Sequence, residues 1–184
     1  MPPVVPPTTS PTDDSNEWLV AHNKRREKFH AKYGVTYTPL MWSSDLETSA
    51  QEYAEKLATI PGCVTVGGYE EDSYGGENLA ANWGSNAPRT PDQVLKYWAD
   101  DEEPLGYEKF KHFTQVVWRA THYVGCGQVS KGNGNCHIQV CRYLRPGNCE
   151  MSEDDWQLKT FAENSSCGPI CPEGGCMNAM SINQ

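Results

Sequence analysis

Eight cysteines, an even number at positions 63, 126, 136, 141, 149, 167, 171 and 176, constrain this chain more than any other feature. Seven of them lie from residue 126 onward, and a chain that crowds its thiols so is expected to close them as disulfides in an oxidising compartment. The alternative is a zinc site, because Cys136 with Cys141 and Cys171 with Cys176 are spaced almost like ligand pairs. Neither is the two-residue-spaced pair of a zinc ribbon, so disulfides are the preferred reading. The triplet Asn164-Ser165-Ser166 agrees with export and marks Asn164 as a candidate glycosylation site.

The chain has 184 residues, enough for one well-buried core with appendages. Its 15 basic and 24 acidic side chains leave a net charge of -9, which offers no basic footprint for a phosphate backbone and argues against nucleic acid as a partner. No apolar run approaches the roughly 20 residues of a membrane-spanning helix, so no transmembrane segment is expected.

Residues 1–13 carry five prolines among the first eleven positions, interleaved with Thr and Ser, and read as a disordered arm. Asp14 and Glu17 have the spacing of a capping box, after which Trp18, His22, Arg25, Arg26, Phe29 and Tyr33 recur at helical intervals until Gly34. Ser44 with Glu47 opens a second helix whose face is Leu46, Ala50, Tyr53 and Leu57, ended by Pro61-Gly62. Thr90, Pro91 and Gln93 open a third, and the intervening 62–89 stretch, rich in Gly, Asn and acid, reads as a long loop.

Period-two patterns over Tyr123–Ser130 and Cys136–Tyr143, joined by a Gly/Asn-rich turn, predict a hairpin. Helices early and an antiparallel hairpin late define an α+β class. Residues 149–184 hold half the cysteines and few aliphatics, so they are expected to be a disulfide-tied tail.

Four strings complete the pattern: His22-Asn23-Lys24-Arg25-Arg26, Gly76-Glu77-Asn78-Leu79, Lys111-His112-Phe113-Thr114-Gln115-Val116-Val117-Trp118, and Val140 through Asn148 (VCRYLRPGN). In this order they resemble the signature motifs of the CAP superfamily, which comprises cysteine-rich secretory proteins, antigen 5 and pathogenesis-related class 1 proteins. The resemblance covers about Trp18 to Asn148, within a domain expected over 14–148, and implies a three-layer α-β-α sandwich with an antiparallel sheet, secreted, clamped by disulfides and open at a cleft. It implies pairing of Cys126 with Cys141 and of Cys63 with Cys136, leaving Cys149, Cys167, Cys171 and Cys176 to pair within the tail in an order that spacing does not decide.

The resemblance also implies a cleft of two histidines and two acids able to bind a divalent cation. Glu77 and His112 match one acid and one histidine. The second acid falls three residues after Trp98, at Asp101, with neighbouring Glu102 as a substitute. The second histidine falls at Gly67, where imidazole is replaced by a loop offering Glu70, Glu71 and Asp72. Such a set weakens zinc and favours a harder ion such as calcium, so no cofactor is required and a cation is only optional. Tyr69, Tyr74, Trp83 and Tyr97 are candidate aromatic walls of a ligand-binding cleft that also includes Glu77, Asp101 and His112. The functional expectation is a non-enzymatic binding protein for a lipid, a sterol or an extracellular protein, with roles in defence or host interaction. The alternative is a metal-dependent, protease-like hydrolase using His112, Glu77 and Asp101. His22, Asn23 and Arg26 are expected to bond to backbone and hold the layers, and His30, His122 and His137 to be ordinary surface or sheet histidines.

Overall fold

The computed structural model describes residues 15–63, 76–84, 87–109 and 111–167. Its first helix, α1, is Glu17–Lys32, capped by Asn16, whose side chain accepts from the Leu19 N–H at 3.1 Å. The cap thus falls two residues after the expected Asp14. A two-residue strand, β1 (Met41–Trp42), precedes α2 (Ser44–Thr59). Here Ser43 rather than Ser44 is the cap, accepting from Leu46 N–H, and Glu47 instead takes the Trp42 indole N–H at 2.9 Å.

The stretch expected as loop contains β2 (Gly76–Trp83). α3 (Pro91–Leu95) carries the full capping box of Thr90 and Gln93 and runs directly into a π-helical turn, Lys96–Asp100, and a short 3₁₀ turn, Glu103–Leu105. Then follow α4 (Lys111–Val117), the hairpin β3 (Tyr123–Lys131) and β4 (Cys136–Leu144), and α5 (Trp156–Phe161).

The sheet order is β1-β3-β4-β2. β3, β4 and β2 are antiparallel as expected, but β1 joins β3 in parallel, Met41 opposite Tyr123, so the sheet is mixed at that edge. Strand alternation sorts the two faces. Leu79, Ile138 and Val140 pack with Ala50, Tyr53, Ala54 and Leu57 of α2. Val124, Cys126, Cys141 and Tyr143 pack on the other side, with Leu19 and Phe29 of α1, Val94 and Leu95 of α3, and Phe113, Val116 and Val117 of α4. The result is the three-layer α-β-α sandwich.

α2 lies close enough to β3 that a Cβ at Gly125 would fall on the Leu46 and Glu47 backbone, and one at Gly127 on Ala50 and Gln51. Two strand positions without side chains therefore let a helix backbone rest on the sheet. Disulfides join Cys63 to Cys136, Cys126 to Cys141 and Cys149 to Cys167. The first ties the end of α2 to β4 and the second crosses the hairpin, matching the two pairings implied by the resemblance. Cys171 and Cys176 lie outside the described residues.

The start of the expected tail contributes to the core. Phe161 of α5 is buried and stacks on Tyr33 at 4.5 Å, while Trp156 meets the same ring edge-on at 5.7 Å. Aromatic packing therefore holds this segment as well as the staple.

Two of the histidines expected to be ordinary are buried. His30 is fully enclosed, bonded to the Val117 carbonyl at 2.9 Å and accepting from Thr38 N–H. His137 is buried in the sheet, with Nδ1 at 2.7 Å from the Ser130 hydroxyl.

Candidate functional site

The motif of α1 is a structural hub. Arg26 is fully buried and aims all five guanidinium N–H groups at backbone carbonyls: Nε at Thr38, Nη1 at Val116 and Trp118, Nη2 at Arg119 and Thr121. Several of these carbonyls are the unsatisfied end of α4 and the turn after it, which a fixed cation complements. Burial lowers the Arg26 pKa to about 9, so it stays charged at neutral pH.

His22 is equally enclosed. Its Nδ1 lies 2.8 Å from the Trp18 carbonyl and Nε2 2.8 Å from the Tyr143 hydroxyl, so the ring donates through Nδ1 and accepts from the phenol. Burial, aided by the charges of Arg26 and Arg25, pushes its pKa down to about 3, while burial drives the Tyr143 hydroxyl far upward. Both remain neutral hydrogen-bonding groups. Asn23 clamps Leu40 through both backbone groups, and Asn78 donates to Tyr143 Oη and to the His112 carbonyl, each at 3.2 Å.

The partly exposed group of the site is His112, at the start of α4. Its ring lies parallel to Trp98 at 5.9 Å, and Trp98 in turn stacks on Trp18 and donates to the Leu79 carbonyl. Glu102 meets His112 twice: Oε1 takes the Nδ1–H at 2.5 Å, and Oε2 accepts the backbone N–H groups of His112 and Phe113, both at 3.1 Å. The carboxylate therefore caps α4 and fixes the tautomer, leaving the lone pair on Nε2.

Of the two acids left open by the sequence, Glu102 is thus the one that reaches the imidazole. Asp101 is exposed and pairs with Lys96, its oxygens 2.5 and 2.8 Å from Nζ. The reason is the π-helical turn, in which Asp101 N–H bonds to the Lys96 carbonyl at 2.9 Å. One extra residue per turn delays the register, so the position three after Trp98 faces solvent and the next faces His112.

Glu77 is not brought to His112. By strand alternation it shares the face of Leu79, toward α2, and its carboxylate is buried against Arg142 at 3.1 Å. Arg142 also donates to Ser49 and lies 4.8 Å over the Tyr53 ring. Tyr69, Tyr74 and the Gly67 loop lie outside the described residues. Asn164 is exposed at a turn after α5.

Among the described residues, the His, Cys and acid atoms close enough to share one ion are those of His22, Cys126 and Cys141, and the two sulfurs are already joined in a disulfide. Among the described residues, His112 offers an imidazole nitrogen beside a carboxylate that already accepts from three donors, and these two groups alone make an incomplete ligand set for zinc or calcium. The signals that sequence reading passed over were the helical run His112–Val117 and the Gly76–Trp83 strand.

This architecture defines a class: a disulfide-pinned α-β-α sandwich with a buried His-Arg-Tyr network and a partly exposed histidine, His112, held by Glu102 at the start of α4. The chain belongs to the cysteine-rich secretory protein (CAP) family, whose sequence pattern matches residues 19–143, and it is a CAP-domain protein of the pathogenesis-related type. It is similar to pathogenesis-related protein 1C of Nicotiana tabacum, 34% identical over 144 residues that cover 74% of this chain and 77% of the relative. It is also similar to fruiting body protein SC14 of Schizophyllum commune, 32% identical over 152 residues covering 74% of this chain and 63% of that protein. The solved structure of NaASP2 with zinc shares the fold at a TM-score of 0.58 and 18% identity, covering 82% of this chain and 88% of that one. No helix among the described residues is long and apolar enough to cross a membrane.

Proposed function

We propose that this is a secreted, non-enzymatic binding protein that acts by contact with a lipid or sterol, or with the surface of an extracellular protein, in defence or host interaction. The observation that carries the reading is the engagement of the acids. Glu102 is spent on capping α4 and orienting His112, and Glu77 is buried on the α2 face of the sheet with its Oε2 on Arg142 of the neighbouring strand, away from His112. General acid-base chemistry needs a second group free to exchange a proton with substrate. Export is supported by the disulfides and the Asn164 sequon.

Apolar contact is supported by Trp83, 79% exposed, and Tyr97, 56% exposed, on or beside the β2 edge where Arg89 reaches both the Ala81 carbonyl and the Tyr97 ring. A ligand or surface seated at this edge would remove both rings from water. A hydrolase stands second, favoured only by a partly exposed His112 oriented by a carboxylate. No divalent cation is needed for the binding role.

A fluorescent sterol and a labelled fatty acid, each titrated against micromolar protein, test this reading. Saturable uptake that weakens in Trp83→Ala and Tyr97→Ala is the expected result. Absence of uptake of either probe removes the lipid and sterol version, and ester or peptide turnover lost in His112→Ala overturns the non-enzymatic one.

A further inference from the structure

We propose that Arg145 and His122, where β3 and β4 leave the sheet beyond the hairpin pairing of Tyr123 with Leu144, form a binding site for a phosphate-type oxyanion. Arg145 differs from the other described arginines. Arg25 is held by Asp92 and Asp100, Arg119 by Glu163 and Arg142 by Glu77. Arg26 is saturated by carbonyls, and Arg89 rests on Ala81 and Tyr97. Among the described residues no carboxylate lies within ion-pair distance of Arg145, although the chain carries a net charge of -9. Its hydrogen-bond contact is a long one, Nη1 at 3.5 Å from His122 Nε2, and its Nε is buried without a partner.

A buried, unpaired donor of a charged group is costly, and such a group in a native fold calls for an ion or ordered molecule. The edge of a guanidinium formed by Nε and Nη2 is the fork that binds two oxygens of one phosphate or carboxylate.

Three further observations point the same way. His122, half-buried beside Arg145, has its pKa lowered by burial and then by the charges of Arg145 and Arg26, and among the described residues no acid acts on it in the opposite sense. Two guanidiniums and an imidazole therefore share one locus of positive potential. Next, Arg145 adopts φ 59°, the left-handed region that a side-chain-bearing residue enters at a cost. That backbone takes its side chain out of the alternation of β4, and the Thr121 hydroxyl fixes it by donating to the Arg145 carbonyl at 2.8 Å. Finally, both residues remain partly solvent-accessible, so an anion can arrive from outside. The site is separate from His112 and from the aromatic residues of the proposed apolar contact, and it stands or falls independently of them.

Phosphate can be free or carried on a lipid headgroup, so the test has two arms. In the first, the full chain is titrated with inorganic phosphate while the imidazole resonances of all five histidines are followed by NMR. The expected result is saturable movement of His122 with a rise in its pKa, and weakening of about tenfold or more in Arg145→Gln with partial retention in Arg145→Lys. In the second, flotation with vesicles of phosphatidylcholine alone and of phosphatidylcholine with phosphatidic acid is compared for wild type and Arg145→Gln. Binding in either arm that depends on Arg145 supports the site and identifies the source. Unchanged resonances of the other four histidines in Arg145→Gln guard against a folding defect in that variant, and His122→Gln, which removes the imidazole and keeps Arg145, should retain part of the vesicle binding where that arm is positive. Phosphate that leaves His122 unmoved, together with vesicle binding absent or equal in wild type and Arg145→Gln, overturns the proposal.

Discussion

Glu102 holds His112 by both ends, its Oε1 2.5 Å from the ring Nδ1 and its Oε2 3.1 Å from the backbone nitrogen of the same residue. One carboxylate therefore sets both where α4 begins and which face of the imidazole is presented. The neighbouring Asp101 does neither, because its carboxylate is turned to Lys96 on the surface.

Glu102→Ala is accordingly expected to cost about 2 kcal/mol, through loss of a helix cap and of a charge-assisted hydrogen bond. Asp101→Ala, which removes an exposed ion pair, is expected to change stability by no more than about 0.5 kcal/mol. Urea unfolding of the two variants checks the pair, and equal effects would contradict the assignment of Glu102.

Arg26→Lys keeps the charge and loses the planar fork. A lysine ammonium offers three donors from a single point, and because Trp118 O also accepts from the Thr121 N–H, at least one of the other four carbonyls would lose its side-chain donor in the interior. A loss of about 3 kcal/mol or more in unfolding free energy is expected. A change below about 1 kcal/mol would mean that water replaces the guanidinium freely.

Acid should destabilise the fold in a window set by buried histidines. In the unfolded chain His22 and His30 gain protons as pH falls through 6.5, whereas in the folded chain burial delays this to about 3 and about 4. The unfolded state thus binds more protons between these limits, so stability is complete above pH 6.5 and declines below it. The limiting slope is about 1.4 kcal/mol per pH unit for each histidine. Asp92, held down to about 2 chiefly by its hydrogen bond from Arg25, contributes a loss only below its ordinary value of 3.8. Denaturation midpoints between pH 7 and 4.5 isolate the histidines, and a flat profile there would refute their burial as neutral groups.

Gly127→Ala places a methyl group against the backbone of α2 at Ala50 and Gln51. Because backbone cannot yield as a flexible side chain does, the helix must lift from the sheet, at an expected cost of about 1 to 3 kcal/mol. The same substitution at Gly132, in the hairpin turn where nothing lies within 4 Å, tests a different cost, that of φ +63°. A lowered thermal midpoint for Gly127→Ala with an unchanged urea slope is the expected signature.

Local chemistry made much of this fold legible. The Thr90-Pro91-Gln93 box, the α2 face and the β3-β4 hairpin follow from spacing because capping and amphipathic alternation act within a few residues. β2 was obscured because Gly76-Glu77-Asn78 has the composition of a loop, and it becomes a strand through pairing with β4, which lies about sixty residues away in sequence. Asn16 and Ser43 displaced the neighbouring cap candidates by one or two positions for the same reason: which hydroxyl or amide meets an N–H depends on where the tertiary contacts start the helix.

By itself the sequence determined the class, the Cys63–Cys136 and Cys126–Cys141 pairings through its likeness to the CAP motifs, and the role of the His22-Asn23-Arg26 face as backbone clamps. Only the tertiary structure decided which acid His112 meets and on which side of the sheet Glu77 lies. A motif fixes residue types and order, but a π-helical turn at Lys96–Asp100 rotates everything after it, and strand parity sends adjacent residues to opposite layers.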